Sequence, residues 1–232
     1  MGRLEIFGVE GIGEITRGTD LAALICESAA LANGDVVVVT QKIVSKAEGA
    51  MVEVDPSDPL SHKPIVERES VRILRRRGDL IISETRHGFV CANAGIDLSN
   101  VDRGWAALLP EDPDRSARRI RDGIRGVAGL EVAVIVSDTF GRTWRRGVTD
   151  VAIGSAGLLP ILDLRGTQDS YGRELQVTEV AIVDEIASAA ELVMGKATGV
   201  PVAVVRGIDR SWFGRGGVLD EVVRAPADDL FR

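Results

Sequence analysis

Apolar residues fall in short blocks along this chain, some at the period of a strand and some at that of a helix. Leu4 to Val9 is an apolar run that leads into Gly8, Gly11 and Gly13, which predicts a first strand and a flexible turn. Asp20 stands as an N-cap before Leu21, Leu24, Ile25 and Ala32, whose spacing predicts a helix closed by Asn33-Gly34. Asp35 to Thr40 contains four consecutive valines, the pattern of a strand buried on both faces. Gln41 to Gly49 comes directly after it and carries Lys42 and Lys46. Asp55 to Pro64 reads as a loop, and Ile65 to Arg77 as a helix.

Leu80 to Ser83 and Gly88 to Ala92 read as paired strands around Arg86-His87-Gly88. Pro110 to Pro113 is a loop, and Arg115 to Val127 an amphipathic helix with Ala117, Ile120, Ile124 and Val127 on one face. Glu131 to Ser137 predicts a strand, Leu158 to Leu164 another, and Tyr171-Gly172 a turn. Glu179 to Met194 has the clearest helical period, with Ile182, Val183, Ile186, Ala190 and Val193 as its stripe and Gly195 at its end. Val200 to Val205 predicts the last strand, and Leu219 to Val223 a short helix. The elements interleave irregularly and include an antiparallel pair. The expected class is therefore α+β (mixed α/β) rather than a doubly wound sheet.

Composition narrows the picture. Hydrophobic residues make up 45% of 232 residues and charged residues 27%, so the chain can bury a core of its own. A formal net charge of −7 disfavours nucleic acid and anionic membranes as partners, while Arg75 to Arg77 and Arg145-Arg146 leave room for a small anion. Two cysteines, Cys26 and Cys91, cannot make a disulfide framework or a four-ligand zinc site, and both read as small buried hydrophobes. The N-terminus lacks the pattern of a secretory signal, and no apolar run reaches ~18 residues. A cytoplasmic location is expected.

Three segments can carry chemistry. In Ser137 to Gly147 an apolar strand delivers Asp138 and Thr139 at its carboxyl end, where ligands bind in sheets with helical crossovers. A carboxylate beside a hydroxyl suits Mg²⁺ or Mn²⁺, and Arg142, Arg145 and Arg146 supply charge for phosphate or carboxylate. The bland alternative is a capped turn with solvated arginines. In Asn93 to Asn100, Asp97 is a second candidate metal carboxylate and Asn100 a candidate contact for a base or ribose; an Asx turn explains the same residues. In Thr40 to Gly49, Lys42 and Lys46 share one side if the stretch is helical, either reaching a phosphate or forming a solvated face. The spacing of a P-loop is missing, and Gly8, Gly11 and Gly13 do not match the Rossmann fingerprint. His62 and His87 are not at ligand spacing, and no Gly-x-Ser-x-Gly supports a triad. Trp105, Trp144 and Trp212 read as packing residues, and Asp184 and Glu185 as surface charges. Glu179 either faces the metal from a helix start or is solvated.

At these residues the chain resembles the coenzyme F-420-0:L-glutamate ligase (gamma-glutamyl ligase) family. Gly34 to Gly49 looks like its nucleotide-binding segment, and Ser137 to Gly154 like its metal-binding segment. Thr178 to Lys196 and Pro201 to Gly207 are similar to its third block, and Asp229 to Arg232 to the ending of single-domain members.

The resemblance implies a GTP-dependent ligase that joins L-glutamate to coenzyme F-420-0, a phosphorylated deazaflavin, through an acyl phosphate. GTP contacts would come from Ile12, Gly13, Glu14, Ile15, Gln41, Lys46, Asn100 and Gly195. Asp97, Asp138 and Thr139 would hold Mg²⁺ or Mn²⁺, with K⁺ as a further candidate, and Arg142 and Arg145 would balance charge during catalysis. It also implies a homodimer, a fold particular to the family, a ligase-like domain over 1–207 and a C-terminal tail over 208–232 packing on it. The nitroreductase-like extension of some relatives is not expected. Two competing readings are a metal-dependent ligase or phosphotransferase for another carboxylate, and a non-catalytic nucleotide-binding module.

Overall fold

The computed structural model describes residues 2–230; Met1, and Phe231 and Arg232 of the family-like ending, lie outside the described residues. In chain order the strands are β1 (Glu5–Gly8), β2 (Val36–Thr40), β3 (Met51–Glu53), β4 (Ser70–Arg77), β5 (Leu80–Thr85), β6 (Val90–Ala92), β7 (Trp105–Ala107), β8 (Ala133–Gly141), β9 (Val148–Ala156), β10 (Leu162–Asp163), β11 (Glu179–Val180) and β12 (Val202–Arg206). The helices are α1 (Leu21–Ser28), α2 (Gln41–Glu48), α3 (Lys63–Glu69), α4 (Pro113–Ala128), α5 (Ile182–Met194) and α6 (Val218–Glu221). The class is α+β, as expected.

The main sheet runs β1-β12-β2-β8-β9. Only β2 and β8 are parallel; the other neighbours are antiparallel. The four valines of β2 are fully buried, as their run without alternation demands. Each contributes about 1.5–3 kcal/mol on burial, which makes β2 the natural centre of the sheet. Helix α4 packs on β8 and β9, α1 packs on α4, and α5 packs on β1, β12 and β9. A second, smaller core of Ile65, Val66, Ile81, Ala94, Ile96 and Ala106 lies under α3 and the β4-β5-β6 and β3-β7 sheets.

Several expectations need correction. Residues 65–77 do not form one helix: α3 stops at Glu69 and β4 comes next. Gly78-Asp79 closes a two-residue hairpin with Arg77 opposite Leu80, and Gly78 takes a positive φ of 56°. That turn chemistry, with the β-branched Val71 and Ile73, overrides the helical spacing. Helix α1 ends at Ser28 rather than near Ala32, and Val127 on α4 is exposed.

The strand expected over 158–164 shrinks to β10, while the long strand β9 has no clear signature because it mixes Thr, Asp, Gly and Ser with apolar residues. Helix α5 begins at Ile182, and Glu179 belongs to β11, where it pairs with Arg165 at 3.2 Å rather than facing a metal. Trp144 is 88% exposed, so it is no packing residue. Asp184 is not a plain surface charge: its Oδ1 accepts from the Ala152 N–H at 2.9 Å.

Candidate active site

The topology brings five chain segments to one edge of the main sheet. β2 and β8 run parallel and in register to Thr40 opposite Ser137, so both carboxyl ends open there. β12 runs the other way and begins there, with Thr40 N–H donating to Pro201 at 3.0 Å. β1 ends beside it, with Val9 N–H donating to Val202 at 2.8 Å, and delivers the 12–15 segment. α5 ends at Gly195, whose φ of 60° and ψ of 165° are open only to glycine.

Between these segments lies a cleft of about 620 Å³. Its walls include Ile12, Gly13, Glu14, Ile15, Gln41, Lys42, Lys46, Asn100, Asp138, Thr139, Asp150, Glu191, Gly195 and Lys196. Ten of the named candidates thus converge, although the Asn100 side chain reaches only to the Lys196 carbonyl at 3.5 Å.

β8 outruns β2. Its last four residues, Asp138 to Gly141, pair with β9 alone and project past the parallel pair. In that ladder Thr139 stands opposite Asp150. Asp150 is 2% exposed. Its Oδ1 accepts from Thr139 Oγ1 at 2.5 Å, its Oδ2 from Ser137 Oγ at 3.1 Å, and Lys196 Nζ lies 3.6 Å from it. Asp150, Glu191 and Lys196 were not among the residues expected from sequence. The carboxylate eleven residues after Thr139 would have been legible only if the β8–β9 hairpin had been seen.

Asp138 lines the open cleft, yet protein atoms crowd its carboxyl. Desolvation first, then the charges of Asp97 and Asp150, push its pKa up to about 7, against the Thr139 N–H and Lys196, which pull it down. Asp97 does not itself line the cleft. It sits behind Lys42, whose Nζ reaches its Oδ2 at 2.8 Å, and accepts from Ser99 N–H at 2.7 Å. Burial works to raise its pKa, but Lys42 and Ser99 together hold it below the usual value. Asp97 is nonetheless near enough to Asp138 for its charge to be felt there, so both carboxylates belong to one electrostatic unit.

The lysines of α2 do share one side. Lys46 Nζ meets Glu14 at 2.5 Å, and Lys42 turns to Asp97. Glu191 adds a further acid whose pKa is raised by burial and by Asp150. Arg142 and Arg145 are elsewhere: they lie on the exposed turn between β8 and β9, where an Arg142 guanidinium nitrogen donates to the Arg146 carbonyl at 2.8 Å, and neither lines the cleft.

No group of three or more His, Cys, Asp or Glu side chains draws together as a ready-made ion cage among the described residues. The donor set still fits a hard divalent cation. Asp138, Asp97 and Asp150 concentrate negative charge that lifts the Asp138 pKa, and a cation would offset it. Mg²⁺ characteristically takes one or two carboxylates and completes its shell with water and phosphate oxygens.

Oxygen-rich strand ends thus face lysines across one cleft, without a Ser-His-Asp or Cys-His arrangement among the residues that line it. The profile of the family described as F420-0:Gamma-glutamyl ligase matches residues 11–207. The protein named coenzyme F420:L-glutamate ligase from Methanopyrus kandleri is 43% identical over the whole of both chains. Those of the same name from Methanothermobacter thermautotrophicus and Methanocaldococcus jannaschii are 44% and 39% identical, covering 99% of this chain and 99% and 97% of their own. The chain belongs to the F420-0:gamma-glutamyl ligase family.

Proposed function

We propose that this protein joins L-glutamate to coenzyme F420-0 at the expense of GTP, in the cleft at the end of β2 and β8. The observation that carries the reading is the meeting of Asp138, Thr139 and Asp150 with Lys42, Lys46 and Lys196 around one cleft in a chain of this family.

A carboxylate is a poor electrophile. In the proposed reaction an acceptor carboxylate oxygen attacks the γ-phosphorus of GTP, the bond to the β-phosphate oxygen breaks, and GDP leaves. The glutamate nitrogen then attacks the acyl carbon, inorganic phosphate departs, and the amine gives up a proton. Positioning and charge neutralisation do most of the work in phosphoryl transfer.

Asp138 and Thr139 would hold Mg²⁺ or Mn²⁺ in the cleft, joined by Asp97 once Lys42 releases it, and the ion would supply charge neutralisation at the phosphates. Lys46 on α2 and Lys196 just after α5 neutralise phosphate oxygens, once they exchange their present carboxylate partners for the ligand. Asp150 holds the Thr139 hydroxyl in place, and Glu191 is placed to take the amine's proton. The nucleotide lies against residues 12–15, Gln41 and Gly195. Two copies form a homodimer. The exposed apolar face of the β4–β5 hairpin, with Val71, Ile73, Leu74 and Leu80, supports that part.

Mass spectrometry of a mixture of purified protein, GTP, Mg²⁺ or Mn²⁺, L-glutamate and F420-0 tests the reading. It predicts a product one glutamyl residue heavier, formed one-for-one with GDP. GDP release with other acids but not with F420-0 would move the reading to a different acceptor.

A further inference from the structure

A second cavity, of about 270 Å³, lies beside the cleft and plays no part in the nucleotide chemistry. Its size sits just under the ~300 Å³ at which ligand pockets generally begin, which suits a flat ring system rather than a whole nucleotide. Phe89, Phe140, Val151 and Val222 give it apolar walls. The two phenyl rings meet edge to face, with centroids 6.0 Å apart. His87 stacks on Phe89, with ring centroids 5.6 Å apart.

Three ionisable side chains, Asp184, Arg224 and Asp229, break the apolar lining. Asp184 at the start of α5 borders the cavity; its Oδ1 is taken by the Ala152 N–H at 2.9 Å, and its Oδ2 has no hydrogen bond among the described residues. An apolar slot bordered by two carboxylates and a guanidinium suits a heteroaromatic ring that carries both an N–H and carbonyl oxygens.

The cavity is joined to the cleft through β8. Asp138 lines the cleft and Phe140 lines the cavity. Two positions apart on one strand, they share a face and stand roughly 7 Å apart. An acceptor with its acid at one end and its ring at the other could run along that face from one compartment to the next.

We infer that this second cavity binds the planar deazaflavin ring of the acceptor, with Phe89 and Phe140 against the ring and Asp184 accepting from its N–H, while the acid end reaches Asp138. The inference rests on the acceptor proposed above.

The test uses a fluorescent deazaflavin ring bearing only its polyol arm, without phosphate or carboxylate, and tracks its binding by anisotropy. Val222→Trp fills the cavity from the end of α6, and Asp184→Asn removes the charged acceptor while leaving an oxygen for the Ala152 N–H. Val222→Trp is expected to weaken ring binding by about tenfold or more. Asp184→Asn should weaken it by a smaller factor, and both should leave the KM for GTP unchanged. Wild-type ring affinity in both variants overturns the inference. So does a Val222→Trp protein that changes only its sedimentation, since the cavity then lies between copies of the chain. If the wild type binds the ring but never ligates the acid, the proposed function fails and the ring site stands. If the wild type ligates the acid and both variants bind the ring normally, the ring site alone fails.

Discussion

The Thr139 hydroxyl donates to Oδ1 of Asp150 at 2.5 Å, across two residues that stand directly opposite each other in the β8–β9 ladder. The contact fixes a hydroxyl and a carboxylate at the mouth of the cleft with the precision of sheet register, which a loop would not give. It also ties the nearby Asp138 to a strand that outruns its parallel neighbour.

Asp150→Asn leaves the hydrogen bonds from Ser137 and Thr139 possible but removes the charge that Lys196 balances. Ligase activity should fall by about a hundredfold, in the range seen when one group of a preorganised charged site is lost. The thermal midpoint should move little. GDP release and a melting curve on one preparation check both halves.

Asp138 carries a pKa raised to about 7, so its protonated form is favoured by the fold. The folded state therefore holds more protons than the unfolded state between about 4 and 7, and the associated stability is lost as pH rises through that window. In EDTA, the wild type should lose midpoint temperature from pH 4 to 7 more steeply than Asp138→Asn. Added Mg²⁺ should restore the wild type alone. Parallel profiles for the two proteins would contradict the assignment.

His87 works in the opposite direction. Its Nε2 faces the carbonyl oxygens of Pro110 and Glu111 at 3.0 and 3.1 Å, so Nε2 carries the proton, while buried Nδ1 has no partner among the described residues. Desolvation first, then Arg86, keeps its pKa below the usual value. Stability from this group is present above the ordinary histidine pKa of ~6.5 and is lost as pH falls through the lower folded value. His87→Gln, which can still donate to the carbonyls, should show a shallower loss of midpoint temperature from pH 7 to 5 than the wild type.

Asp114 is 4% exposed and accepts three backbone N–H groups, from Ser155, Val218 and Leu219. It joins α4, β9 and α6. Asp114→Ala strands all three donors and should cost on the order of 3 kcal/mol in urea unfolding. A cost below about 1 kcal/mol would show that water replaces the carboxylate.

Much of the site was legible because it is built on strand ends. The all-valine run of β2 and the apolar start of β8 named the central strands. Gln41, Lys42 and Lys46 directly after β2, and Asp138-Thr139 in the last part of β8, line the cleft. Convergence of the 12–15 segment and Gly195 came through the family resemblance, since no local pattern places β1 beside β12. Asp150 escaped because β9 has a polar start and a register shift opposite Val136-Ser137, so it shows no regular alternation. Arg142 and Arg145 look chemical in sequence, yet the strands bracketing them carry them out onto a turn. Charge alone could not say which end of a hairpin faces the ligand.

Transfer of oxygen tests the central chemistry most directly. F420-0 labelled with ¹⁸O in its carboxylate is incubated with the protein, GTP, divalent metal and L-glutamate, and the phosphate released is weighed by mass spectrometry. An acyl phosphate formed in the cleft predicts one ¹⁸O in each phosphate formed alongside the amide. Amide product accompanied by unlabelled phosphate would contradict the account.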